Sequence, residues 1–509
     1  MEKLKSVVSN QWIALALIII IAAFLRLYNI GELPPGLYPD EAMNGNNALE
    51  ALSANGSFKF FYPENNGREG LFINIQAMSV AIFGNEPWAL RLVSALFGIL
   101  TVLGVYFLTK EFFYNKSPHT RKIALLSSFF LATSFWHINF SRIGFRAIMA
   151  PFFLIWGIYF LLLAFRQIKE QKSPKFYILS SIFSGIFYGL GMHSYIAYRA
   201  TPLLILLIIG YWLFANWDLR KEIIKIFAVF SIFAFLVFSP LGIHFLKNPA
   251  DFFGRTTQVS VFSSETPMKD LGMNILKTLG MFNFSGDYNW RHNYAGRPQI
   301  FWPVGILFII GIIYGMIKIF KKSIIKENNQ RFEFLILFSW LIIVSLPTVI
   351  SNEGLPHALR AILMIPPAFI LAGLAGIWFY EKISEKLQNS LKFKKIFLIT
   401  CFLILFLLVV EAYTTYFILW GKSEHTPGAF AADYVELGRE LKALPKELPK
   451  YVIVKANGVN VRGIPMPTQT IMFITDTFTS EKQKEKNLYY LLPDQIKQIP
   501  QNSYSTELK

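Results

Sequence analysis

Charge is what this chain has least of. Only 16% of its 509 residues are Asp, Glu, Lys or Arg, and acids are scarcer than bases, 32 against 49, for a formal net charge of +17. A soluble domain carries roughly a quarter charged residues, so an ordinary soluble enzyme is disfavoured. One cysteine, Cys401, excludes an intramolecular disulfide and a cysteine-rich metal site. The seven histidines are scattered without metal-site spacing, which weighs against a His-based metal centre. Neither a P-loop nor a dinucleotide fingerprint occurs, so no nucleotide pocket is implied.

What is present is apolar. Hydrophobic residues make up 54% of the chain and the mean hydropathy is +0.42, arriving in long runs instead of a 3.6- or 2-residue period. A bilayer-spanning helix needs roughly 20 mostly apolar residues. Eleven runs qualify, near 12–29, 87–109, 123–140, 147–165, 176–194, 200–215, 226–246, 301–318, 333–350, 361–379 and 396–420. The expected fold class is an all-α polytopic membrane domain over 1–420 with a small α/β domain over 421–509. In that tail AFAADYVELGRELKAL has helical spacing, while YVIVKA, TIMFITDT and NLYYLL read as short strands.

Short basic clusters fall on alternating sides of the spans: Lys3 and Lys5; Lys110, Lys116, Arg121 and Lys122; Arg166, Lys169, Lys172 and Lys175; Arg220, Lys221 and Lys225. The pattern continues with Lys321, Lys322, Lys326 and Arg331, then Lys382, Lys386, Lys392, Lys394 and Lys395. The positive-inside rule makes that face cytoplasmic. It thereby predicts a multi-pass plasma-membrane protein with its N-terminus inside and its C-terminal domain outside. Arg26 and the Tyr-Asn-Ile after it offer no cleavage site, so the first run reads as an uncleaved helix. Loops 30–86 and 247–300 and the tail then lie on the outer face, where a long first loop points to surface chemistry.

The informative polar residues sit at the outer helix ends, since charge at membrane depth is costly. In GELPPGLYPDEAMNGNNALEAL, Asp40 and Glu41 open a segment with helical spacing. Asp40 as a helix cap, with Glu41 in a favourable first turn, is the commoner use of such a pair, and it is compatible with a role as base. NNGREGLF supplies Arg68 and Glu69, which otherwise form an interfacial charge pair. FSRIGFRAIMAP supplies Arg142 and Arg146, four apart and so expected on one helical face, where they repel unless an anion lies between them. Contact with lipid phosphates explains Arg146 equally well. GLGMHSYIAYRATP carries His193, Tyr195, Tyr198 and Arg199, its tyrosines also readable as interfacial aromatics. SNEGLPHALRAILMIPP carries His357 and Arg360.

Arginine suits a phosphate through a planar fork of donors that stays charged. A carboxylate set among arginines therefore fits group transfer from a phosphate-bearing lipid: Arg meets the leaving phosphate and the carboxylate takes a proton from the acceptor hydroxyl. Asp40 and Glu41 are the candidate catalytic acids. Arg68, Arg142, Arg146, Arg199 and Arg360 are the candidates for donor phosphate, and Glu69, His193, Tyr195, Tyr198 and His357 for other substrate contacts.

The order of these features resembles a known family. The first helix, the external Tyr-Pro-Asp-Glu, the later Gly-Arg-Glu-Gly-Leu-Phe and the Ser-Arg-x-x-Phe-Arg corner are similar to those of GT-C membrane glycosyltransferases. The relatives in view are dolichyl-phosphate-mannose protein mannosyltransferases and bacterial aminoarabinose transferases, over roughly residues 10–380. The resemblance implies a polyprenyl-phosphate sugar donor, an inverting transfer of a hexose or pentose, an outward-facing site, and an acceptor that is a protein, lipid or polysaccharide. It implies that Asp40 is the general base and that Arg68 contacts donor phosphate. Glu69-Gly70 stands where aminoarabinose transferases carry Pro-Pro, and no acid follows Arg142, unlike in many relatives. Either Glu69 substitutes in a divalent-metal site or no metal is used; no cofactor or metal ligand is assigned. Membrane lipids are expected partners and nucleic acid is not. A transporter or flippase of lipid-linked saccharides is the alternative, disfavoured because few acids or bases lie in mid-span. A third reading is a scaffold whose working part is the tail.

Overall fold

The computed structural model describes residues 2–54, 56–258, 260–320 and 330–509. Lys321, Lys322 and Lys326 lie outside the described residues, as do the side chains of Lys3 and Lys5. The first half of the membrane bundle contains α1 (Glu2–Leu27), α2 (Pro39–Leu52), α3 (Gly70–Phe83), α4 (Pro87–Phe112), α5 (Thr120–Ala132), α6 (Phe135–Phe140), α7 (Met149–Lys169), α8 (Pro174–Gly191), α9 (Pro202–Ala215) and α10 (Arg220–Lys247). There follow α11 (Pro249–Gln258), α12 (Pro267–Gly280), α13 (Trp302–Phe320), α14 (Arg331–Val349), α15 (Ile365–Lys386) and α16 (Leu391–Tyr413), the last running into a π-helical turn over Thr414–Trp420.

Among the described residues nine helices are long and apolar enough to cross a bilayer, against eleven expected runs. Two expectations account for the difference. The run 123–140 breaks at Thr133 and Ser134 into α5 and the one-and-a-half-turn α6, because Ser134 caps α6 by accepting the His137 amide. The run at 176–194 is α8, whose Ser180, Ser181, Ser184, Gly185 and Gly189 lower its hydropathy but make a close-packing face. A Cβ at Gly185 would strike the Phe230 carbonyl of α10, so this contact holds by backbone approach, as helices do where lipid supplies no hydrophobic drive. Elsewhere α7 packs on α8, and α4 on α5 and α7, while α15 is clasped between α5 and α13.

At one end of the bundle the short basic loops are tied together. Lys122 reaches Glu381 at 2.7 Å, Arg166 reaches Glu111 at 2.6 Å, and Gln330 donates to the Lys116 carbonyl at 3.0 Å. The loops 30–86 and 281–300, the strip 350–360 and the tail gather at the other end.

The tail contains α17 (His425–Ala429), α18 (Ala432–Ala443), α19 (Gln469–Thr475) and α20 (Ser480–Lys486). Counting from the first loop, the strands are β1 (Phe61–Tyr62), β2 (Arg68–Glu69), β3 (Lys450–Val454), β4 (Asn460–Val461), β5 (Ile464–Pro465), β6 (Leu488–Leu491) and β7 (Tyr504–Leu508). The tail's three-stranded sheet runs β6-β3-β7, parallel throughout, with Val452 between Tyr490 and Thr506. TIMFITDT, expected as a strand, is instead helix α19. Its apolar residues are buried on all sides, between the sheet and α2, and so carry no period that would tell strand from helix. Phe473, Ile474 and Val435 close one cluster with Leu37, Ala42 and Leu90, and Thr470 donates to the Leu37 carbonyl at 2.9 Å.

Candidate active site

Helix α2 presents the acidic pair. Pro39 fits the first helical position because its missing N–H would go unpaired there, and the two acids follow in the first turn, favoured by the helix dipole. The cap position belongs to Tyr38, not Asp40, so the capping role expected of Asp40 is not the one it plays. Asp40 is half-buried, lines a cavity of about 430 Å³ and accepts a hydrogen bond from Asn65 Nδ2 at 2.9 Å. Asn65, Asn66 and Gly67 form a left-handed turn at φ 53°, 60° and 79°. A Cβ at Gly67 would meet the Phe61 ring at 2.4 Å, so the turn needs glycine there for space as well as for its φ.

Glu41 departs from the expectation. Its carboxylate and the Arg91 guanidinium are both fully buried, paired at 3.0 Å, and the Gly144 amide donates to it at 2.6 Å. Arg91 in turn binds the Pro34 carbonyl at 2.5 Å and the Gly36 carbonyl at 2.8 Å. Glu41 is a strut that fixes α2 to α4 and to the 141–146 corner, and it does not line the cavity.

Arg68 faces the cavity from β2. It donates to the side-chain oxygens of Asn44 at 2.7 Å and Asn47 at 2.5 Å, and to the Glu64 carbonyl at 3.2 Å. These acceptors are neutral, so they orient the guanidinium without cancelling its charge. Burial, with repulsion from Arg146, pushes Arg68 down to about 10 against the attraction of Glu64 and Asp40, and it is still a cation at neutral pH.

The candidate cations divide. Arg68, Arg146 and Arg360 line the cavity, as do Tyr195 and His357. Arg360 is steadied by Ser351 and Glu353. Arg142 does not reach it. That side chain is fully buried, donates to the Leu33 carbonyl at 2.8 Å and lies over the Phe417 and Tyr416 rings at 5.0 and 5.2 Å. Arg199 also stands back: it pairs with Glu69 at 3.2 Å, donates to the Phe252 carbonyl at 2.7 Å and stacks over the Phe252 ring at 4.3 Å.

Glu69, expected as a substrate contact, is not among the cavity-lining residues and is the buried partner of Arg146, at 2.8 Å, and of Arg199. Burial works to raise its carboxyl, and the two arginines outweigh it and hold it below the usual range. Behind the same wall His193 donates to the Val237 carbonyl at 3.0 Å, and Tyr198 is fully buried with its ring 5.5 Å from that of Tyr188.

The cavity lining also holds residues that the sequence did not single out. Arg291 lies over Tyr38, its Cζ 3.7 Å from the ring centre. Asp287, Tyr288, Asn289 and His292 come from the same loop, and Glu353 from the 350–360 strip. Asp287 accepts the Asn289 and Ala358 amides, each at 2.8 Å, and sits 3.1 Å from His292 Nδ1. The rings of His292 and His357 stand 4.9 Å apart. The signal for this part of the lining was the polar, aromatic run GDYNWRHNYAG inside a loop otherwise assigned only by position. Among the described residues the cavity is lined by four arginines (Arg68, Arg146, Arg291 and Arg360) and three carboxylates (Asp40, Asp287 and Glu353).

A bundle of membrane helices carrying such a cavity at one end is the architecture of the GT-C fold, and this chain has it, with a small C-terminal sheet besides. The profile of the dolichyl-phosphate-mannose-protein mannosyltransferase family matches residues 71–244. YkcB of Bacillus subtilis, provisionally named a mannosyltransferase, is 26% identical over 232 residues, which is 44% of this chain and 29% of that protein. The chain thus spans less than a third of the length of that relative. The apo oligosaccharyltransferase of Archaeoglobus fulgidus superposes with a TM-score of 0.58 at 12% identity, covering 95% of this chain and 65% of its own. ArnT of Cupriavidus metallidurans, solved with undecaprenyl phosphate, gives 0.55 at 14% identity, covering 97% and 89%. At such identities the likeness is one of fold.

Proposed function

We propose that the protein is a membrane glycosyltransferase that moves a sugar from a polyprenyl-phosphate carrier to an acceptor hydroxyl outside the cytoplasm. The observation that carries this reading is Arg68, a buried cation held by neutral acceptors, in one cavity with the carboxylate of Asp40. A buried charge is costly unless it is paired, and a phosphate entering the cavity completes that pairing. The family match and the ArnT structure with undecaprenyl phosphate support the same donor class.

In the proposed reaction the acceptor oxygen bonds to the sugar C1 as the C1–O bond to phosphate breaks, inverting the anomeric centre. Asp40 accepts the proton of the acceptor hydroxyl. The negative charge growing on phosphate is met by Arg68, Arg146 and Arg360, where fixed donors need no reorganisation. Arg142, Arg199 and Glu41 have no direct part in these steps.

The test is release of polyprenyl phosphate from a labelled polyprenyl-phosphate sugar by the detergent-purified protein. Asp40→Asn is expected to lower transfer by roughly 10²- to 10⁴-fold, the range for loss of a general base, with elution and melting unchanged. Near-normal transfer by that variant removes Asp40 from the mechanism. Translocation of the lipid-linked sugar across vesicles without any transfer replaces the enzyme with a flippase.

A further inference from the structure

Two of the scattered histidines and an aspartate meet in the cavity wall. Asp287 and His292, five residues apart on one loop, face His357 from the strip before α15, and one ligand atom from each lies within 4.8 Å of the other two. We propose that Asp287, His292 and His357 form a zinc site, its fourth coordination position open to the cavity for a phosphate oxygen. Zinc is bound by His nitrogen at roughly 2.0–2.1 Å and by carboxylate oxygen at roughly 2.0–2.2 Å, usually in a tetrahedron. Two such ligands then stand about 3.3 Å apart, by the same bond lengths. His292 Nδ1 and Asp287 Oδ2 stand at 3.1 Å, so an ion bound by both needs little movement from either. His357 is the ligand that closes in.

Three further features fit a metal better than a simple Asp–His pair. The carboxylate is fixed from outside by the Ala358 and Asn289 amides at 2.8 Å each, the kind of outer hydrogen bonding that orients metal-bound carboxylates. Asp287 and His292 are buried, at 3% and 7% exposure, whereas His357 is half-exposed at the cavity surface. This leaves a path for the ion and one open side. The donor set, two imidazoles and one carboxylate with a vacant position, is the type that zinc takes where it meets a substrate. An ion there would share the cavity with Arg68 and Asp40. The role of the fourth position rests on the polyprenyl-phosphate reading; binding of the metal does not.

Protein purified through a histidine-free tag is stripped with EDTA and titrated with zinc chloride against a chromogenic chelator. Stripped protein is also loaded with cobalt(II) and its visible spectrum recorded. About one zinc per chain and an intense tetrahedral cobalt spectrum are expected. His357→Gln, a change at the cavity surface, and His292→Gln should each weaken zinc by more than the roughly 10- to 100-fold that loss of an outer partner costs, while His119→Gln, beside Glu381 at the other end of the bundle, should not. Elution from a sizing column checks that each variant is folded. Absence of zinc binding in the parent, or equal binding in the folded His357→Gln variant, overturns the site. Adding polyprenyl phosphate should change the cobalt spectrum, and an unchanged spectrum removes phosphate from the fourth position. Zinc held by a protein that performs no transfer would sink the enzyme reading and leave the metal site standing.

Discussion

Asp40 and Glu41 are neighbours in sequence and opposites in use. Successive residues of an α-helix point about 100° apart, so α2 aims one carboxylate into the cavity and the other into the protein. Breaking a fully buried pair by removing one partner costs about 3–5 kcal/mol. Glu41→Gln is therefore expected to lower the melting temperature in detergent sharply, because it strands Arg91 in a site sealed from solvent. The same amide change at Asp40 should leave melting near the parent value. If Glu41→Gln melts normally but is inactive, Glu41 belongs to the chemistry after all. The acid pair was legible as a motif, but which acid works was not, because that depends on what packs behind the helix. The arginines show the same limit. Spacing put Arg142 and Arg146 on one helical face, yet α6 ends at Phe140 and the next helical turn begins at Arg146. The rule for residues four apart has no helix there to act on. Arg142 turns inward to carbonyls and rings, while Arg146 turns to the cavity.

Among the elements, Glu69 is the hinge pin. Placed where β2 enters α3, it binds Arg146 from the 141–146 corner and Arg199 from the turn before α9. Those two arginines hold its folded carboxyl below the usual range. Its stabilising effect is complete above the unfolded carboxyl value of about 4.3 and is lost as pH falls through the lower folded value. Glu69→Gln should cost about 3 kcal/mol at neutral pH, near the lower end for a broken buried pair. The gap in melting temperature between parent and variant should hold from pH 7 to pH 5 and narrow below about pH 4. A gap that does not change with pH would mean the lost packing, not the charge, sets the cost. At this scale the sequence was a good guide to the long helices and a poor one to their interruptions. Runs such as 87–109 and 147–165 appear as α4 and α7 within a few residues. The break between α5 and α6 rests on one serine cap, and the turn of α19 on burial against two partners. Neither leaves a trace in hydropathy.

Taken as a whole, the molecule builds its cavity from residues 38–68, 145–147, 195, 287–292 and 353–360, so no window of sequence contains it. Charge alternation in the loops could gather these segments at one end, which is why the Asp40 and Arg68 wall was foreseeable. It could not say which residues of a long loop turn inward, and Asp287, Arg291 and His292 were missed for that reason. The tail enters this assembly through α2 itself. Phe473 is fully buried on Gly45, five residues beyond Asp40 on α2, and a Cβ at Gly45 would lie 2.5 Å from the Phe473 ring and 2.9 Å from Leu90. Asn46 adds a bond to Gln469 Oε1 at 2.9 Å, and Arg462 grips Glu50 at 2.9 Å and Glu64 at 2.6 Å. The tail thus braces the helix that aims the proposed base. Phe473→Ala should cost about 3–5 kcal/mol through the cavity it leaves. Gly45→Ala should cost about 1–3 kcal/mol by overpacking, and each change alone should increase hydrogen exchange in both α19 and α2 and lower transfer. Because the methyl that Gly45→Ala adds would occupy space vacated by the Phe473 ring, the double variant should be less destabilised than the two single changes together. Strict additivity, or loosening confined to α19, would mean that the tail rests on α2 without holding it.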